Sequence, residues 1–128
     1  MIAIVASSGA GCTQRRIQIP TQPPSDGYGA ALLGPVRLFV DGEIGDMVCF
    51  AAEAEGIRTA LVWPNGWYSL PQTPEPIVDK AGTIVAHASE TVDLGGGFSP
   101  GPWPQLQGCP DYGGRVFWVG DVTAHDGP

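Results

Sequence analysis

Residues 47–64 read MVCFAAEAEGIRTALVWP, and how they fold decides the architecture. They read as a hairpin. Met47–Ala54 runs out, Glu55-Gly56 turns, and Ile57–Trp63 returns. Gly56 accommodates the positive φ that a tight hairpin turn requires. The return strand alternates, with Ile57, Thr59, Leu61 and Trp63 on one face and Arg58, Ala60 and Val62 on the other. Pro64 ends it, because proline donates no ladder hydrogen bond. The same stretch has a rival reading. Residues 50–55 are rich in good helix formers, and a helix over Met47–Ala54 would break at Gly56. The β-branched and aromatic residues gathered after Gly56 favour the hairpin.

Outward from this centre the chain punctuates itself. Upstream, Val36–Val40 is an alternating strand and Asp41-Gly42 a turn signal. Glu43–Asp46 leads into the hairpin. Downstream, Asn65-Gly66 is a strong turn dipeptide. Trp67–Pro76 is a proline-rich loop carrying Trp67 and Tyr68. Ile77–Asp79 and Thr83–Ala86 flank Lys80-Ala81-Gly82 as a second hairpin. Ser89–Leu94 is a strand, and the Gly95-Gly96-Gly97 run marks a bend or bulge. Ser99–Gln107 is another proline-rich loop, with Trp103 between two prolines. Arg115–Val119 is the last strand, setting Val116 and Trp118 against Phe117 and Val119. About six short strands with a turn signal every 8–15 residues describe a sandwich or small barrel rather than an α/β fold.

The 128 residues allow one domain. Nineteen glycines and 13 prolines suit short strands joined by turns. The net charge is −7, and from Leu38 onward 12 acidic residues face 3 basic ones. Such a body repels phosphate backbones, which argues against nucleic acid as a partner. The one basic cluster, Arg15-Arg16, is too small for a nucleic-acid footprint.

The first twelve residues, MIAIVASSGAGC, carry two readings. One is an ordinary apolar strand with Cys12 a buried thiol. The other is the remnant of a lipoprotein signal peptide, in which small residues precede a cysteine that becomes lipidated. Gly9-Ala10-Gly11-Cys12 has the small residues and the order. Gly9 stands where such signals usually carry leucine, the apolar run is short, and no basic segment precedes it. Thr13–Pro35 then reads as a polar, proline-rich tether reaching about 25–30 Å as a flexible coil. Its alternative is a short edge strand over 16–19. The domain proper spans 36–123, and 124–128 is a loose tail.

The order Leu61-Val62-Trp63-Pro64-Asn65-Gly66, Val78–Ala86, Gly95-Gly96-Gly97, Cys109 and Phe117-Trp118-Val119-Gly120 resembles small secreted or lipid-anchored proteins of actinobacteria, a group of uncharacterised function. The resemblance covers about residues 36–122. It implies an extracytoplasmic β-domain like an OB-type barrel, and no activity. In that group one cysteine lies in the strand before the LVWP motif and another precedes the last strand, positions that Cys49 and Cys109 match. The odd cysteine count supports this pairing, since lipidation of Cys12 leaves a single pair in an oxidising compartment.

A Cys49–His87 nucleophile pair requires the two to meet in space, against the plainer reading of Cys49 as half a disulfide. A zinc site from Cys49, Cys109, His87 and His125 has none of the usual ligand spacings. Asp41, Glu43 and Asp46 fall in one turn without the spacing of a calcium loop, and read as a solvated acidic turn. No cofactor motif is present. Aromatic residues in loops are the better lead: Trp67, Tyr68 and Trp103 on a β-scaffold suit binding of sugars or protein faces, or else fold back as lids.

The expectation is therefore an all-β domain, an OB-like barrel of five or six short strands, held outside the membrane by a lipid anchor or secreted. It acts as a non-enzymatic binding or accessory module for an envelope protein or glycan. The alternative is a small cell-envelope hydrolase using two carboxylates.

Overall fold

The structure, a computed structural model, describes residues 15–24 and 29–125. Cys12 and the signal-peptide reading of 1–12 lie outside the described residues. Seven strands follow in order: β1 (Ala31–Ile44), β2 (Met47–Ala54), β3 (Ile57–Val62), β4 (Pro76–Val78), β5 (Ile84–His87), β6 (Thr91–Phe98) and β7 (Val116–Ala124). A 3-10 turn spans Pro104–Leu106.

Five strands close in a ring, in the order β1-β2-β3-β7-β6 with β6 returning to β1. The fold is all-β and OB-like, as expected, but the ring is not a regular barrel. Every neighbour is antiparallel except β3 and β7, which run parallel over only Ala60–Val116, Leu61–Phe117 and Val62–Trp118. The register slips between Leu33 and Val36, between Val40 and Glu43, and between Gly95 and Gly96. The β4–β5 hairpin sits between β3 and β6 in the chain and pairs outside the ring.

The central hairpin forms where the sequence places it. Glu55 (φ 53°) and Gly56 (φ 80°) both take positive φ, the pattern of a two-residue turn whose twist matches the strands. The helix alternative fails because β2 is buried on both faces. Val48, Phe50 and Ala52 enter the inner core, while Met47 and Cys49 enter an outer one. A strand covered on both sides has no polar alternation, so its periodicity resembles that of a buried helix. On β3 the expected faces hold: Leu61 and Trp63 point inward, Ala60 and Val62 outward.

The inner core is closed by Leu38, Phe50, Trp63, Leu94, Phe117 and Val119, with Ile77 and Ala86 of the second hairpin packed against them. Trp63 is fully buried, edge-on to Phe50 (6.1 Å between centroids, 88°). Such edge-to-face pairs add about 0.5–1.5 kcal/mol beyond burial.

Four of the expected features are corrected. Asp41-Gly42 is not the turn: Gly42 (φ 94°) lies in a bulge inside β1, and the turn is Gly45-Asp46. The first strand starts at Ala31, within the expected tether. Residues 15–24 do not hang free either. Ile17 pairs with Ser69, Gln18 bridges to Met47 and Thr21 to Trp63, and Ile19 and Gln22 are buried. At the other end Ala124 pairs with Val92, and His125 Nδ1 lies 3.1 Å from Asp93 Oδ2, so the ordered structure passes residue 123. The triple glycine is a bulge within β6, as its composition indicates. Gly96 (φ 153°) approaches the carbonyl of Trp118 so closely that a Cβ has no room.

Candidate functional site

Cys49 on β2 is bonded to Cys109 in the loop before β7, with Cα atoms 5.6 Å apart. That removes both sulfurs from the nucleophile and zinc readings. The bond fastens residues 99–115 over the outer face of β2 and β3. Leu106 and Cys109 bury against Met47, Cys49, Ala60, Val62 and Val116, and Trp103, Tyr112 and Trp118 pack around them. OB barrels commonly bind oligonucleotides or oligosaccharides on this face. Here the chain's own loop occupies it.

Beside this covered face lies an open groove of about 580 Å³. Three distant stretches of chain form it. Residues 16–21 make one wall, Gly66-Trp67-Tyr68 a second, and Pro104, Gln105 and Gln107 a third, with Met47 at the base. The Asn65-Gly66 turn aims Trp67 and Tyr68 here, since Trp67 N–H donates to Pro64 O at the turn (3.2 Å). Trp67 stacks on buried Trp63 at 6.0 Å and 19°. Tyr68 is held by two main-chain hydrogen bonds with Val78, and the Arg16 guanidinium lies 4.3 Å from its ring centroid.

Two of the three expected binding aromatics thus share one site. Trp103 does not line it. Its Nε1–H donates to Ser99 O (2.9 Å) and its ring packs on the outer core, so it acts as a lid over the covered face.

The polar inventory of the groove is unusual for so acidic a chain, because no carboxylate lines it. Arg16 is exposed and has no carboxylate partner among the described residues, whereas Arg37 pairs with Glu53 at 3.2 Å. Gln105 lines the groove with its side-chain amide, and its Oε1 is buried with no hydrogen-bond partner among the described residues, as are Gln22 Oε1, Trp63 Nε1 and Trp118 Nε1 away from the groove. Sequence reading missed Gln18, Gln105 and the role of Arg16. The Arg15-Arg16 pair was the only available signal, and nothing local marks the two glutamines.

A second hollow, of about 310 Å³, is bordered by Glu43, Asp46 and Glu75 together with Arg15 and Gln72. Glu43 and Asp46 are exposed and Glu75 half-buried, so water solvates them. Among the described residues no group of three His, Cys, Asp or Glu side chains is placed to hold a metal ion. Asp41 leaves the expected acidic turn and accepts a hydrogen bond from the Tyr112 hydroxyl. Burial first, then that bond and the Asp41 charge, push the Tyr112 hydroxyl well above its ordinary range.

The disulfide is compatible with an extracytoplasmic location. Among the described residues no helix is long and apolar enough to cross a membrane. Compared with known proteins, the chain matches no family model, no curated protein and no solved structure.

Proposed function

We propose that this chain is a non-enzymatic binding module of the cell envelope, working outside the cytoplasm, with the Trp67–Tyr68 groove as its ligand site. One observation carries the reading. The fold brings two loop aromatics into a single groove, with the side-chain amides of Gln18, Gln105 and Gln107 and an exposed guanidinium that has no carboxylate partner among the described residues beside them. Binding sites combine an apolar platform with a few placed polar groups in this way. The Cys49–Cys109 bond and the resemblance to secreted or lipid-anchored proteins support the address.

Lipid on Cys12 would anchor the module more tightly than a 13–35 tether. Arg16 is four residues from Cys12, a span of at most about 14 Å when extended. With lipid on Cys12, the docked segment 15–24 would hold the groove near the membrane surface.

The test is a titration of the full chain with separated envelope glycan and envelope protein fractions, read by tryptophan fluorescence. A saturable change is expected from one fraction, and Gln105→Ala should weaken it. Absence of saturable binding to either fraction, or binding indifferent to Gln105 and Tyr68 substitutions, overturns the reading.

A further inference from the structure

The groove's own chemistry narrows the ligand, on the reading of the groove as a binding site. We infer that it takes a glycan bearing a carboxylate, with Arg16 contacting the acid and Gln105 a neighbouring hydroxyl.

The argument begins with what the groove lacks. A peptide bound as an extra strand needs a free main-chain edge. The main chain along the strand-like walls of this groove is already used. Ile17 exchanges both hydrogen bonds with Ser69 (2.9 Å each), Gln18 O accepts from Val48 N (2.9 Å), and Tyr68 exchanges both with Val78. Polar groups on side chains remain: the amides of Gln18, Gln105 and Gln107, the hydroxyls of Thr21 and Tyr68, and the Arg16 guanidinium. A side-chain amide offers a donor and an acceptor in one plane. Sugar hydroxyls, which both donate and accept, match that pairing.

The side chains along the wall specify the ligand further. The Gln105 amide at the groove wall suits a sugar hydroxyl or an N-acetyl group. Arg16 donates only, and a planar carboxylate fits its fork with two parallel hydrogen bonds. One ligand must bring both, and a sugar acid does. The overall charge of −7 sets the upper limit, because a densely charged polyanion would be repelled. A saccharide with isolated acid groups avoids that repulsion. Half-buried Trp67, braced by Trp63, supplies the flat surface against which a sugar ring lies.

The probe is a glycan array of uronic, sialic and muramic acid-containing oligosaccharides, each beside its carboxyl-reduced neutral counterpart. Hits are then measured by calorimetry with the full chain. At least one acidic glycan should bind about tenfold or more tightly than its neutral partner. Arg16→Gln should remove that preference, so that acidic and neutral forms bind with similar affinity. Arg16 is exposed, so the variant keeps its core. Gln105→Leu should weaken acidic and neutral forms alike. Equal affinity for the two forms, or an Arg16→Gln variant with its preference intact, overturns the acid assignment while the groove reading stands. Array silence, with peptide binding that Gln105→Leu abolishes, overturns the glycan class alone. Array and peptide library both silent overturns this inference and the groove reading together.

Discussion

The side-chain amide of Gln22 donates to the carbonyl of Val119, 97 residues further along the chain, at 2.8 Å. The same nitrogen donates to Val62 O at 2.9 Å. It therefore spans β3 and β7 just where their short parallel ladder ends at Val62–Trp118. The main chain follows the same path: Gln22 N–H donates to Trp63 O and Trp63 N–H to Pro20 O, both at 2.8 Å. A side chain from the segment expected to be a tether closes the shortest ladder of the ring.

Gln22→Ala should therefore unfold at lower urea, losing about 2–3 kcal/mol, since two buried carbonyls lose their donor. Gln22→Glu should be worse at neutral pH. Its buried carboxylate cannot donate, and burial raises its pKa. The penalty is present above that raised pKa and fades as pH falls through it, when the protonated carboxyl regains a donor. A stability difference between Glu and wild type that does not shrink on acidification would contradict this role.

Removing the disulfide with Cys49→Ala and Cys109→Ala should cost on the order of 4 kcal/mol, from the closed loop of 60 residues in the chain-entropy view. Denaturant melts with and without reductant measure it. The loop 99–115 should also lose its hydrogen-exchange protection, because the bond fastens it to β2. Ligand affinity should fall too, as Gln105 and Gln107 ride on that loop.

Tyr112 ties the same loop to β1 through Asp41. Its hydroxyl titrates above the unfolded value near 10, so its contribution is fully present below about pH 10 and is lost as pH rises further. Tyr112→Phe should cost about 1 kcal/mol at neutral pH, a modest figure because the pair is only part-buried and solvent screens it. The variant should also lose stability less steeply than wild type above pH 10. Matching alkaline profiles would count against the bond.

Glu55 occupies a positive-φ position that favours glycine or asparagine. Glu55→Asn should stabilise the central hairpin by roughly 0.5–1 kcal/mol, and Gly56→Ala should destabilise it by about 1 kcal/mol or more. Thermal melts of the two variants should move in opposite directions.

Cys12 offers the test of address. Expressed in an actinobacterial host, the protein should carry acyl mass on Cys12 and partition into detergent, and Cys12→Ser should release it. Unmodified Cys12 in protein recovered from the membrane fraction would defeat the anchor.

What sequence alone determined was local. The turns at Glu55-Gly56 and Asn65-Gly66, the glycine bulge in β6 and the two faces of β3 and β7 follow from backbone freedom and side-chain alternation within a few residues. Resemblance and an odd cysteine count pointed to the Cys49–Cys109 pair. Tertiary structure decided the rest. Asp41-Gly42 reads as a turn in isolation, yet it becomes a bulge because β1 continues on to pair with Val48 and Met47. Residues 15–22 show no periodicity, because hydrogen bonds from their main chain and the Gln22 amide to distant carbonyls hold them, and such bonds leave no hydrophobic pattern. Trp67 and Trp103 sit in similar proline-rich loops, but one faces a groove and the other a core, because the disulfide draws only the second loop across β2. The groove itself joins residues near 18, 67 and 105, which meet only after the ring has closed.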